Sequence, residues 1–166
     1  ATRDLRRVES EIDEMRSLVT AIPKGARGLV AMAWPPEAVH RYGPWHMTSQ
    51  MAMVALIERD AFIPYLFTGL TVLRPTDQLM PLSTPHGNPI SRSALEEGIV
   101  ARDGPGMADG DGQGRRIYWR DWPRNFSYVI WQHFGAPGLD NPALLEPIAR
   151  GRSTTIYRVV TPAGAK

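Results

Sequence analysis

Two periods of apolar and polar residues divide the chain. Leu5, Val8, Ile12, Met15, Val19 and Ile22 recur at alternating spacings of three and four, the narrow seam of an amphipathic helix. Arg3, Asp4, Arg6, Arg7, Glu9, Glu11, Asp13, Glu14 and Arg16 fill the other faces, Thr2 is placed to cap the start, and Pro23-Lys24-Gly25 stops it. Residues 28–34 then form a short continuous apolar run ended by Pro35-Pro36, the signature of a buried strand. In residues 46–69, HMTSQMAMVALIERDAFIPYLFTG, a helical pattern turns directly into a strand pattern. Thr48 or Ser49 would cap the helix, with Met51, Val54, Ala55 and Ile57 on its apolar face. Residues 62–67 read as the following strand, with Pro64 directing it to an edge or bulge.

Strand, helix and strand within about 40 residues make a βαβ unit, which implies parallel pairing. Residues 69–115 carry Pro75, Pro81, Pro85 and Pro89 without a period and read as a long irregular Pro/Gly-rich insertion. Within it, residues 91–97 add one or two helical turns, and RDGPGMADGDGQG at 102–114 is a Gly/Asp loop. Residues 127–133 read as a central strand. Asn141 and Pro142 read as the start of a short helix ending at Gly151, and residues 154–160 as a last β-branched strand. The expected fold is one α/β domain over residues 1–166: a small, mostly parallel sheet of four or five strands flanked by helices. Residues 1–22 form its leading amphipathic helix and residues 161–166 a tail. The seam over residues 5–22 suits packing on the domain's own sheet and helix-mediated association about equally; a third use is continuation of a preceding membrane helix. The chain opens inside a helical pattern, as a fragment or a processed product would.

Composition changes this picture little. An apolar content of 43% supports a real core, and a net charge of +2 does not argue for nucleic acid. Lys occurs only at Lys24 and Lys166, the remaining seventeen basic residues being Arg. Arg forks recognise phosphate and carboxylate, but codon bias in a GC-rich genome accounts for the same ratio and is favoured. Cys is absent, which removes disulfides and thiolate metal ligands. No apolar run approaches the roughly 20 residues a membrane helix needs, and no signal peptide is visible.

The familiar catalytic patterns are missing. The first strand leads into Trp34-Pro35-Pro36-Glu37 instead of a Gly-rich turn, so backbone N–H groups for a pyrophosphate are lacking. A P-loop and G-x-S-x-G are also missing. Asp109-Gly110-Asp111-Gly112 resembles the start of a calcium loop, but the twelfth position is Arg120 where a bidentate Glu is needed. His40, His46, His86 and His133 form no H-x-x-x-H or H-E-x-x-H pair; a metal-dependent hydrolase centred on His40, His46 and His86 is a minor alternative. Glu58 and Asp60 read as an ion pair or cap in preference to a catalytic couple. No catalytic residue, metal site or cofactor is assigned.

Trp119-Arg120-Asp121-Trp122 is the candidate binding cluster. Indole faces stack on sugar rings while Arg and Asp bind hydroxyls, and Trp34 and Trp45 would extend such a platform into a carbohydrate-binding module. Indole and Arg also anchor at membrane–water boundaries. The favoured reading is plainer: the tryptophans cover one end of the sheet.

The order of segments, from the charged helix through IPKGARGLVAMAW and HRYGPWHMTSQMAMVALIERDAFIPYLF to YWRDWPRNFSYVIWQHFG, resembles the carboxy-terminal soluble domain of bacterial multi-pass membrane proteins similar to GT-C type glycosyltransferases. Nearly the whole chain is covered, apart from the Gly/Asp loop; VALIERDAFIPYLF over residues 54–67 is the most specific part. Ser127, where an acid is expected, and residues 102–114 depart from the pattern. The resemblance implies a periplasmic or membrane-associated accessory domain in contact with a membrane domain, a partner protein, or a glycan or lipid-linked sugar acceptor. In such proteins the sugar donor is a polyprenyl phosphate and the catalytic carboxylates lie in the membrane part, so none is carried over here.

Overall fold

The computed structural model describes residues 2–33, 51–64, 76, 79, 82, 89–100, 119 and 121–160. Its elements are α1 (Thr2–Val19), β1 (Gly28–Met32), α2 (Met53–Arg59), α3 (Arg92–Val100), α4 (Trp122–Asn125), β2 (Tyr128–Gln132), β3 (Leu145–Arg150) and β4 (Thr154–Val159). The four strands form one sheet in the order β1-β2-β4-β3.

The sheet is mixed, which corrects the mostly parallel expectation. Among the four described strands only β1 and β2 pair parallel; β2–β4 and β3–β4 are antiparallel. The physical reason lies between residues 141 and 154. Asn141 and Pro142 do not open a helix: the Asn141 carbonyl accepts from Leu144 N–H at 3.1 Å and Leu145 N–H at 2.8 Å, closing a turn. The following residues pair with β4 as strand β3. Pro147 lies on this edge strand beside a register shift between Pro147 and Ala149, the setting in which a sheet tolerates a residue without an N–H. Gly151 is therefore in a hairpin turn and does not end a helix: Gly151 N–H bonds Thr154 O at 2.7 Å. A tight turn forces antiparallel pairing, whereas a parallel return needs a crossover.

The βαβ expectation is met in reduced form. After α2 the chain returns beside β1 in parallel, but through a single bridge, Arg27 with Phe62. The rest of the strand expected at 62–67 lies mostly outside the described residues. A second bridge, Ala31 with Ile90, lines the same side of β1. Phe62 exchanges bonds with Ala26 O (2.8 Å) and Gly28 N–H (2.9 Å), and Ile90 with Val30 O (3.0 Å) and Met32 N–H (2.8 Å). All five residues of β1 and four of five in β2 are buried; since successive side chains point to opposite faces, both faces of the sheet are covered there. Cover thins toward β3, where only Leu145 is fully buried.

α1 contributes Met15, Leu18 and Val19 to the core, and the turn that follows it contributes Ile22. The C-terminal part of the expected seam is thus engaged within the chain, and the buried face is rotated to include Leu18 and Glu11 while Ile12 is only half-buried. The ends of α1 and α2 are tied together: Arg59 Nε donates to Ile22 O at 2.7 Å, Gly25 N–H to Arg59 O at 3.0 Å, and Arg16 pairs with Glu58 at 3.5 Å. Asp60, at φ 51, is the left-handed residue that ends α2. Thr48 and Ser49, the expected caps of α2, lie outside the described residues. Ser91 caps α3, its hydroxyl accepting from Ala94 N–H at 3.1 Å. Residues 102–114, 161–166 and most of the 69–115 insertion also lie outside them. No helix among the described residues is long and apolar enough to cross a membrane.

Candidate functional site

The cluster singled out from the sequence divides. Trp122 is fully buried and donates its indole N–H to Leu95 O at 2.8 Å, joining α4 to α3. An indole with no exposed face cannot stack on a sugar. Trp119 is half-buried against the same core. Asp121, at φ 54, precedes α4 in the left-handed region, and its carboxylate lies 3.6 Å from Arg124. Arg120, Trp34 and Trp45 lie outside the described residues. So do Asp109–Gly114 of the calcium-like loop and His40, His46 and His86, so no geometry bears on the alternatives built on them. Among the described residues no group of three His, Asp or Glu side chains is placed to hold a metal ion.

A different polar cluster forms beyond the C-terminal end of β2, the side of a parallel pair where open α/β sheets commonly bind ligands. Glu14 of α1 reaches the β3–β4 turn. Its Oε1 accepts from Ser153 N–H at 2.9 Å and from the Ser153 hydroxyl at 3.1 Å. The Ser153 carbonyl accepts in turn from His133 N–H at 2.8 Å and Phe134 N–H at 3.3 Å. The crossing is close: a Cβ at Gly151 would lie 2.4 Å from Glu14 Oε1 and 2.9 Å from a Leu18 methyl.

His133 also opens a turn. Ala136 N–H bonds His133 O at 2.7 Å, and the two central residues, Phe134 and Gly135, have φ of 46 and 92, the sign pattern of a type I′ turn. A bulky residue in the left-handed region is uncommon. Downstream, Trp131 Nε1–H donates to Pro137 O at 3.3 Å, and Tyr157 OH accepts from Leu139 N–H at 3.0 Å. Two aromatic side chains therefore pin the connection from β2 to β3.

The electrostatics of the cluster are those of a clamp. Burial pushes the Glu14 carboxyl up, but bonds from Ser153 and the Arg152 backbone, with the Arg152 charge, outweigh it and hold the group below its ordinary 4.5. Burial holds His133 below its ordinary 6.5, against an opposing pull from Glu14. Its Nδ1 accepts from Gly135 N–H at 3.3 Å, which places the proton of the neutral ring on Nε2. A nucleophilic serine needs a base to take its proton. Here the hydroxyl faces a carboxylate of lowered basicity, so it is held and not activated.

Glu14 and Ser153 carry no sequence signal of this pairing beyond the position of Glu14 at the margin of the apolar seam, next to Met15. They are 139 residues apart. Comparison with family models, with curated proteins and with solved structures found no match.

Proposed function

We propose that this chain is a non-catalytic accessory domain that serves partner or acceptor contact in a membrane-bound, glycosyltransferase-like envelope protein. One observation carries the non-catalytic half: where an acid, a hydroxyl and an imidazole converge, Glu14 binds Ser153 to fasten a helix to a hairpin. The burial of Trp122 supports it from the other side, since the most suggestive aromatic of the chain belongs to the core. The membrane half, and with it a periplasmic or membrane-associated setting, is supported by the segment order described above and by its resemblance to soluble domains of GT-C type proteins.

The two halves are tested separately. Incubated with a polyprenyl-linked sugar and an acceptor, the chain alone is expected to give no transfer and no hydrolysis; turnover above a heat-treated control would end the accessory reading. The coding sequence upstream of Ala1 is expected to specify several apolar segments of roughly 20 residues. Their absence would remove the membrane-protein context.

A further inference from the structure

We propose that Glu14 is an acid-sensitive latch: it fastens α1 to the β3–β4 turn while ionised, and its protonation loosens that end of the helix from the sheet. Ser153 donates two bonds to the carboxylate, one from its N–H and one from its hydroxyl. An ionised carboxylate accepts at both oxygens, and bonds to it are roughly twice as strong as neutral ones. A protonated carboxyl is a weaker acceptor and carries a hydrogen of its own. The hairpin is built to this contact, because Gly151 leaves the space that Glu14 and Leu18 occupy.

The charged surroundings set the direction. Arg152 of the turn acts on Glu14 through its N–H and its charge, and both favour the ionised form. From the end of β2 comes His133, whose charged form is favoured by ionised Glu14. The first residues of β4, Thr154 and Thr155, carry no charge. On α1 itself the nearest acids are Asp13, which pairs with Arg16, and Glu11, one turn earlier. On α2, Glu58 is directed to Arg16 and Arg59 to the Ile22 carbonyl. Protonation of His133 below 6.5 therefore comes first and places a cation that favours the carboxylate. The latch opens only as pH falls below the ordinary carboxyl value of 4.5. Opening loosens the end of α1 that carries Met15, Leu18 and Val19, with Ile22 of the turn after it.

Hydrogen exchange followed by mass spectrometry on the whole chain, corrected for the intrinsic pH dependence of exchange, tests this. Between pH 5.5 and 3.5, amides of residues 13–22 are expected to lose protection about threefold or more, the linkage of one carboxyl whose ionised form the fold favours, while amides of β2 change less. Glu14→Gln keeps the shape without the titration. It is expected to start looser at pH 7 and to show no extra loss in that window. Parallel loss in α1 and β2 of the unmodified chain would overturn the proposal. So would a Glu14→Gln profile that tracks it. Should that variant not fold, Ser153→Ala, which removes only the hydroxyl bond, is expected to shrink the pH step; an unchanged step counts against the latch.

Discussion

Replacing Gly151 by Ala adds one methyl group where α1 crosses the β3–β4 turn. That methyl would meet Glu14 Oε1 at 2.4 Å, Glu14 Cδ at 2.7 Å and a Leu18 methyl at 2.9 Å, all inside contact distance. Gly151 is not among the positive-φ glycines, so Ala brings no backbone strain and the effect isolates the crossing. Overpacking by one methyl costs about 1–3 kcal/mol. If Glu14 swings aside instead, its two bonds to Ser153 go with it, and a bond to a charged group contributes about 1.5–3 kcal/mol. Partial relief by both routes gives an expected loss of about 2–4 kcal/mol, or roughly 5–15 °C in Tm for a chain of this size. Gly25→Ala is the control: φ there is +73 with nothing within 4 Å of the added methyl, so it costs only the left-handed penalty of about 1 kcal/mol. Urea denaturation of Gly151→Ala, Glu14→Ala and the double variant completes the measurement. With the clash centred on Glu14, the double variant is less destabilised than the sum of the singles by about 1 kcal/mol or more. Strict additivity, or a Gly151→Ala loss no greater than that of Gly25→Ala, would show that α1 does not press on this turn.

Trp122→Phe removes the indole donor from the buried Leu95 carbonyl and is expected to cost about 1–3 kcal/mol, with Trp122→Ala costing about 3–5 kcal/mol; unchanged melting of both would mean the side chain is outside the core. Asp60→Gly relieves a left-handed residue at the end of α2 and is expected to stabilise by about 0.5 kcal/mol after the added flexibility of the unfolded chain is counted; a lower Tm would contradict the assigned backbone. The third concerns pH. Neutral His133 is favoured in the fold, so the unfolded chain binds more protons below 6.5 and stability falls as pH drops through that window. His133→Gln is expected to flatten the slope of urea stability between pH 7.5 and 5.5, and an equally steep slope in the variant would place its origin elsewhere.

The parts of the fold that were legible in the sequence are those whose signal is local and undisputed. Three strands lie where buried runs are flanked by breakers: Leu29 to Met32, Val129 to Gln132, and the β-branched Thr154 to Val159. Helix α1 follows from its seam, although its buried face is set by what it meets. Leu18, absent from the three-four pattern, is buried because it packs at the hairpin turn beside Gly151. β3 was hidden by conflicting cues. Asn141-Pro142 imitates a helix start, and Pro147 argues against a strand. Both are overridden by pairing with β4, a contact that exists only once the hairpin has closed. The same hairpin reverses the chain and thereby makes the sheet mixed, so one misread turn explains both the missing strand and the wrong strand direction.

The polar cluster has the same cause on a longer scale. A carboxylate on a helix reads as a solvated face when its neighbours are Asp13 and Arg16, and both of those are indeed exposed and paired with each other at 3.7 Å. Glu14 stands about 100° of helical rotation from Asp13 and about 200° from Arg16. That rotation moves it from water to the margin of the packed seam, within reach of an N–H and a hydroxyl at the far end of the chain. In such a position an acid is held to the fold by its ionised state: the bonds that lower its pKa are the same bonds that lock the helix. The property that would attract attention in a search for catalytic carboxylates, a shifted pKa beside a serine and a histidine, here has the sign of a structural fastening. General acid–base catalysis is most effective when the pKa lies near the working pH, and the bonds to Glu14 displace it in the opposite direction.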